Sequence, residues 1–274
     1  MASTSLSTPL PPIAFIGGGN MAAAILGGLL RQGAPAESFL VVEPHGPQRE
    51  RLHAELGIDA LEQAGPALQR AAVVVWAVKP QVFAEAAAPC APWVGGALQL
   101  SIMAGTRSDA LVAAAGTERV VRAMPNTPAL IGLGTAGLYA RPAVTAEDRT
   151  LAEAVLAPTG ALEWVAAEGD LDAVTALSGS GPAYVFFVLE AMVEAGRQMG
   201  LDPALAQRLA EKTFIGAATL AERSPEALST LRERVTSKGG TTHAAITRLQ
   251  ADEVQEAFVK ALRAARDRAR ELGR

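Results

Sequence analysis

Two glycine-rich stretches carry groups able to hold anions. In "IAFIGGGNMAAAILGGLL", Gly17, Gly19 and Ala22 form a G-x-G-x-x-A pattern at the end of an apolar run. Glycine there permits a tight turn and lets the backbone approach a pyrophosphate. Ala22 allows close helix-to-strand packing, and the helix N-terminus adds a partial positive charge. A plain turn uses the same glycines, but a strand before and a helix after favour the dinucleotide reading. The second stretch, "VTSKGGTT" at 235–242, sits between two helical segments. A loop of Ser237, Gly239, Gly240, Thr241 and Thr242 running into a helix offers unpaired N–H groups and hydroxyls, a nest for an anion. A simple helix–helix turn explains these residues equally well.

Other groups lie at predicted strand ends. Glu43 closes the second apolar run, where an acid binds adenosine ribose hydroxyls and favours NAD; Arg49 and Arg51 follow closely enough to neutralise a 2′-phosphate instead. A solvated strand end is the competing reading of Glu43. "AVKPQ" (77–81) follows the third run, with Pro80 pushing Lys79 toward extended geometry. "MPNTP" (124–128) is a second rigid turn, either binding loop or ordinary loop. "SGSGP" (178–182) reads as an entry turn or a ligand contact. His45, His53 and His243 are the three histidines, and His243 is read as a helix-surface residue. No paired-cysteine or H-E-x-x-H pattern implies a metal.

The elements that must position these groups divide into two parts. "IAFIG", "FLVVE", "AVVVWAV" and "ALQLSI" read as buried strands separated by helical segments, the signature of βαβ units and a parallel sheet. "RVVRAM" and "ALEWVA" extend the sheet to about residue 165. "TRSD" (106–109) and "TAED" (145–148) predict capping boxes. From Asp170 the chain reads as helices only, with Asp202-Pro203 and Ser224-Pro225 as predicted starts. The expected division is a lead-in over 1–12, disordered and lacking the features of a signal peptide, a sheet domain over 13–166 and a helical domain over 167–274.

The chain has 274 residues and a formal net charge of -4, with no Lys/Arg block to track a nucleic-acid backbone, so a small-molecule partner is expected. The single cysteine, Cys90, excludes an internal disulfide and reads as a small buried hydrophobe. No apolar run approaches the ~20 residues of a membrane span. These features predict a soluble, cytoplasmic protein. The helix from Pro182 is apolar on every face over Tyr184–Leu189, which predicts that a second copy of the chain covers it.

"FIGGGNMA", "AVKPQ", "RAMPNTPA", "SGSGPAYVF" and "TSKGGTT", in this order from about residue 13 to the C-terminus, resemble the pyrroline-5-carboxylate reductase family. The resemblance implies a Rossmann-type doubly wound α/β domain binding NAD(P)H, then an all-α dimerisation domain that completes the active site, in dimers that assemble into decamers. It implies NADPH as the usual cofactor, with NADH as the alternative. By motif, Ile16, Gly17, Gly18, Gly19, Asn20 and Met21 would contact the cofactor phosphates. Ala77, Val78, Lys79 and Pro80 would border the nicotinamide arm, and Ala104 the nicotinamide pocket. Ser237, Gly239, Gly240 and Thr241 would hold a substrate carboxylate, while Thr242 would reach the ring nitrogen as the candidate catalytic group.

Lys238 departs from the family pattern, where proline is more familiar. The implied reaction is hydride transfer to the C=N carbon of 1-pyrroline-5-carboxylate, giving L-proline. Two rivals are a reductase of another small oxo acid or imine and a non-catalytic NAD(P)H-binding redox sensor. The first lacks a supported lysine base among Lys212, Lys238 and Lys260; the second has no use for the GGTT loop.

Overall fold

The computed structural model describes residues 10–273. Seven short strands form, the first three and the fifth from runs rich in Val, Ile and aromatic residues: β1 (Ile13–Ile16), β2 (Phe39–Val42), β3 (Val73–Trp76), β4 (Leu98–Ser101), β5 (Val120–Met124), β6 (Gly134–Ala140) and β7 (Gly160–Trp164). They make one sheet in the order β2-β1-β3-β4-β5-β6-β7. β1 to β5 pair in parallel, β6 runs antiparallel to β5, and β7 is parallel to β6. Helices α1 (Asn20–Arg31), α2 (Gly46–Leu56), α3 (Phe83–Ala87), α4 (Ala91–Val94), α5 (Ser108–Ala115) and α6 (Ala146–Leu156) alternate with the strands. Successive strand residues feed two apolar clusters: Ile13 and Phe15 pack with Ile25 and Leu29 of α1, while Ala14 and Ile16 pack with Trp76 and Phe83. Burial on both faces is why these strands read as continuous apolar runs.

After β7 the chain is helical: α7 (Asp170–Val174), a π turn at Thr175–Gly179, α8 (Gly181–Gln198), α9 (Pro203–Arg223), α10 (Leu228–Arg234), α11 (Thr241–Ala251) and α12 (Val254–Leu272). Two compact units result, residues 1–180 with 265–274, and residues 181–264. This differs from the expected division at 166/167 for identifiable reasons. α7 lies against the sheet, with Val174 close over Gly137, and Arg107 binds Asp172 at 2.8 Å and the Gly273 carbonyl at 3.3 Å. Within the second unit α8 and α9 pack where Gly196 meets Ala206, and the Tyr184 and Phe258 rings meet edge to face at 6.1 Å. Only Gly196, Ala206 and Ala210 of residues 181–264 are buried. Phe186 and Phe187 stand 58% and 70% exposed.

Several expectations require correction. Residues 1–9 of the expected lead-in lie outside the described residues, but Leu10 packs against the core and the Pro12 carbonyl accepts from Ala72 N at 2.9 Å, so 10–12 are ordered. The "TAED" capping box forms, Thr145 and Asp148 exchanging side-chain-to-backbone bonds; "TRSD" does not, because α5 starts at Ser108, whose N–H and hydroxyl both donate to Glu168. Asp202 caps α9 through Leu205 N as expected. Ser224, by contrast, ends α9 instead of starting a helix, and α10 begins at Leu228. The run Asp170–Gln198 is, by length and composition, long and apolar enough to cross a membrane, because the π turn carries the helix through the SGSG stretch that looked like a gap.

Candidate active site

The sheet order reverses between β2-β1 and β1-β3, and the carboxyl ends of β1 and β3 flank that switch point, where ligands bind in open α/β sheets. A cavity of about 650 Å³ opens there, a size suited to a cofactor arm. Ile16, Gly17, Gly19, Glu43, Ala77, Val78 and Lys79 line it. Gly17 has φ +96°, and a Cβ on it would stand 2.8 Å from the Ala77 carbonyl oxygen, so both conformation and space require glycine. Gly19 caps α1 with open space where a side chain would be. Among the described residues the N–H groups of Gly19, Asn20 and Met21 have no acceptor. Unpaired donors at a helix N-terminus are the arrangement that can receive an anion.

Gly18 serves differently. Its N–H donates to Glu43 Oε2 at 2.8 Å, its carbonyl accepts from Gln48 Nε2 at 2.5 Å, and a Cβ on it would meet Leu52. The other Glu43 oxygen accepts from His45 N at 2.9 Å. Beyond β2 the Val42–Leu61 bridge brings Glu62, Gln63 and Ala64 to the cavity wall. No motif marks this wall, and Gln48 looks like any polar helix residue, so sequence reasoning missed both. Lys79 is extended before a 3-10 turn starting at Pro80, as the proline requires. Ala104 is exposed in the loop after β4. Cys90 borders the cavity; burial pushes its thiol up to about 11, so it is a protonated wall residue and no nucleophile.

"MPNTP" and "SGSG" come together. Asn126 Nδ2 donates to the Ser178 carbonyl at 3.1 Å and Oδ1 accepts from Thr135 N at 2.9 Å, tying the end of β5 to the π turn and to β6. Nearby, buried Arg122 pairs with Glu168 at 2.8 Å; burial pulls the arginine down from its ordinary value, opposed by that bond. Glu168 is held below the ordinary carboxylate range, its burial outweighed by bonds from Ser108 and Arg122.

The second stretch lies in the other unit. Gly240 N donates to the Ser237 carbonyl at 3.0 Å and Gly239 has φ +74°, a type II turn with Lys238 at its second position. Gly240 is the N-cap of α11, and a Cβ on it would collide with Ser237 Oγ. Among the described residues the N–H groups of Thr241 and Thr242 have no acceptor. Ser237, Gly239 and Thr241 are exposed, whereas Thr242 is half-buried. The loop is thus a nest of donors without a charged side chain other than Lys238, suited to a carboxylate. His243 is exposed in the same first turn.

Comparison with known proteins places both parts. Residues 168–272 match the model for pyrroline-5-carboxylate reductase dimerisation, and residues 12–105 match that for NADP oxidoreductase, coenzyme F420-dependent. The chain is 44% identical to the pyrroline-5-carboxylate reductase of Pseudomonas aeruginosa, over 96% of this chain and 97% of that one. It is 43% identical to that of Haemophilus influenzae, over 95% and 97%. A solved pyrroline-5-carboxylate reductase from Coxiella burnetii superimposes with a TM-score of 0.90 at 36% identity, covering 96% of this chain and 99% of the other.

Proposed function

The chain belongs to the pyrroline-5-carboxylate reductase family, and on that premise we propose how its residues divide the work of converting 1-pyrroline-5-carboxylate to L-proline, the last step of proline biosynthesis. It is an NAD(P)H-dependent oxidoreductase acting on a C=N bond. When bound, the reduced nicotinamide supplies a hydride to the imine carbon. The cradle at Gly17, Gly19, Asn20 and Met21 fits a pyrophosphate, with Ile16 and Gly18 in the same turn, while Ala77, Val78, Lys79 and Pro80 border the nicotinamide arm and Ala104 the nicotinamide pocket. In the second unit Ser237, Gly239, Gly240 and Thr241 hold the substrate carboxylate, and Thr242 holds the ring nitrogen. A protonated imine is already electrophilic, so orientation suffices and no strong acid or base is required.

What carries this reading is the presence, in one chain, of a dinucleotide cradle and a second donor nest at the N-terminus of α11. The chain is a homo-oligomer built through its dimerisation domain. The dimer is proposed as the minimum assembly and a decamer as the larger one, with the apolar faces of α8 assigned to the subunit contact. A cytoplasmic setting, without nucleic-acid or membrane partners, belongs to the same proposal, in keeping with a buried reduced thiol at Cys90. The test is oxidation of reduced nicotinamide by the purified chain with 1-pyrroline-5-carboxylate. Proline as product is expected; cofactor binding without turnover would overturn the assignment.

A further inference from the structure

We infer that Glu43 makes this reductase selective for NADH over NADPH, against the family's more frequent preference. The inference rests on the proposed cofactor cradle and concerns its adenosine end. Glu43 follows β2 directly, where an acidic side chain meets the ribose 2′-hydroxyl in dinucleotide folds. Its carboxylate is fixed there by Gly18 N at 2.8 Å and His45 N at 2.9 Å. Those two bonds leave acceptor sites on both oxygens for ribose hydroxyls, since a carboxylate accepts about four. A 2′-phosphate brings about two negative charges and no donor. It would enter a cavity whose lining carries three carboxylates, Glu43, Glu62 and Glu85, and a single ammonium, Lys79.

The arginines that could offset this are already engaged. Arg49 Nη1 donates to the carbonyls of Glu43 at 3.0 Å and Pro44 at 2.7 Å, and its Nη2 faces Glu62 at 3.4 Å. Arg51 is held by Glu55 at 3.0 Å and by Asn20 Oδ1 at 2.9 Å. Recruiting either arginine to a 2′-phosphate would therefore break its existing bonds, and moving Arg49 would also leave Glu62 unpaired in a cavity that already holds Glu43 and Glu85.

Fluorescence titration of the full-length protein with NADH and NADPH, without substrate, reads the preference directly. AMP and adenosine 2′,5′-bisphosphate, competed against NADH, isolate the 2′-phosphate. The expected result is NADH bound at least about tenfold more tightly than NADPH, with AMP favoured likewise. Glu43→Gln should narrow the ratio by about tenfold, mainly by tightening NADPH. Because Glu43 also holds Gly18, Glu62→Gln provides a variant that leaves the turn intact, with an expected narrowing of roughly two- to threefold. NADPH bound as tightly as NADH, or a ratio unmoved in both variants, overturns the selectivity while leaving the reductase assignment standing. Failure of the protein to bind either dinucleotide overturns both.

Discussion

Thr242 is the side chain on which the proposed chemistry most depends. It is half-buried in the first turn of α11, next to N–H groups without acceptors among the described residues. A hydroxyl holding the ring nitrogen stabilises the reacting geometry by about one hydrogen bond, ~1 kcal/mol or somewhat more. Thr242→Ala should therefore lower kcat by about tenfold with the dinucleotide Kd unchanged, and Thr242→Ser should restore most of the loss. Steady-state kinetics and cofactor titration check both, and unchanged turnover removes Thr242 from the mechanism. The glycines of the cradle were legible from sequence because their spacing is enforced by backbone geometry, as the positive φ of Gly17 shows. The Glu43 bonds were not, since its orientation depends on Gly18 and His45 backbone positions that no residue type signals.

At the scale of elements, the Ser237–Gly240 turn explains what Lys238 costs the loop. Proline is favoured at the second position of a type II turn, and Lys238 N is not among the donors of the described loop. Lys238→Pro should stabilise the protein by about 0.4–1 kcal/mol and lower the KM for 1-pyrroline-5-carboxylate; a rise in KM would show that the lysine charge matters more than order. The start of α6 gives a pH-dependent counterpart. Asp148 completes the capping box and pairs with Arg119 at 2.6 and 3.0 Å, and the bond from Arg119 holds its carboxyl below the ordinary range. A carboxyl depressed in the folded state contributes stability above the unfolded value of about 4, lost as pH falls through the lower folded value. Asp148→Asn should cost about 1–2 kcal/mol at neutral pH, discounted because Arg119 is partly exposed, and flatten the acid limb in denaturant melts between about pH 5 and 2. Strands with β-branched runs were readable, but β6 was not: Gly134 and Gly137 interrupt its pattern because Ala129, Thr159 and Val174 crowd in where side chains would stand. The "TRSD" stretch does start α5, but its capping box failed for a related reason, a tertiary bond from Ser108 to Glu168 in place of a local cap.

For the molecule as a whole, the decisive fact is that residues 181–264 bury only Gly196, Ala206 and Ala210. One glycine and two alanine side chains, with partly buried contacts such as Tyr184 on Phe258, form too small a core to offset the entropy of ordering α8 to α11 and the start of α12, so this unit needs further cover. The all-round apolar character of Tyr184–Leu189 made that need visible in sequence, because a helix without a polar face requires cover on every side. Which surface supplies the cover was not legible, since self-complementarity belongs to a pair of faces and not to either residue pattern. Phe187, 70% exposed, reports on it. Burying a phenylalanine at an interface is worth about 1.5–3 kcal/mol on each chain, and twofold symmetry counts it twice. Replacing it with a carboxylate adds a desolvation penalty. Phe187→Glu should therefore shift the protein from a mass of at least two chains of 28.2 kDa toward monomer at micromolar concentration in light scattering. Its melting temperature should fall together with its dependence on protein concentration, because folding of the helical unit and association are one equilibrium. A wild-type chain that is monomeric and stable under those conditions would show that the helices find their cover within a single copy.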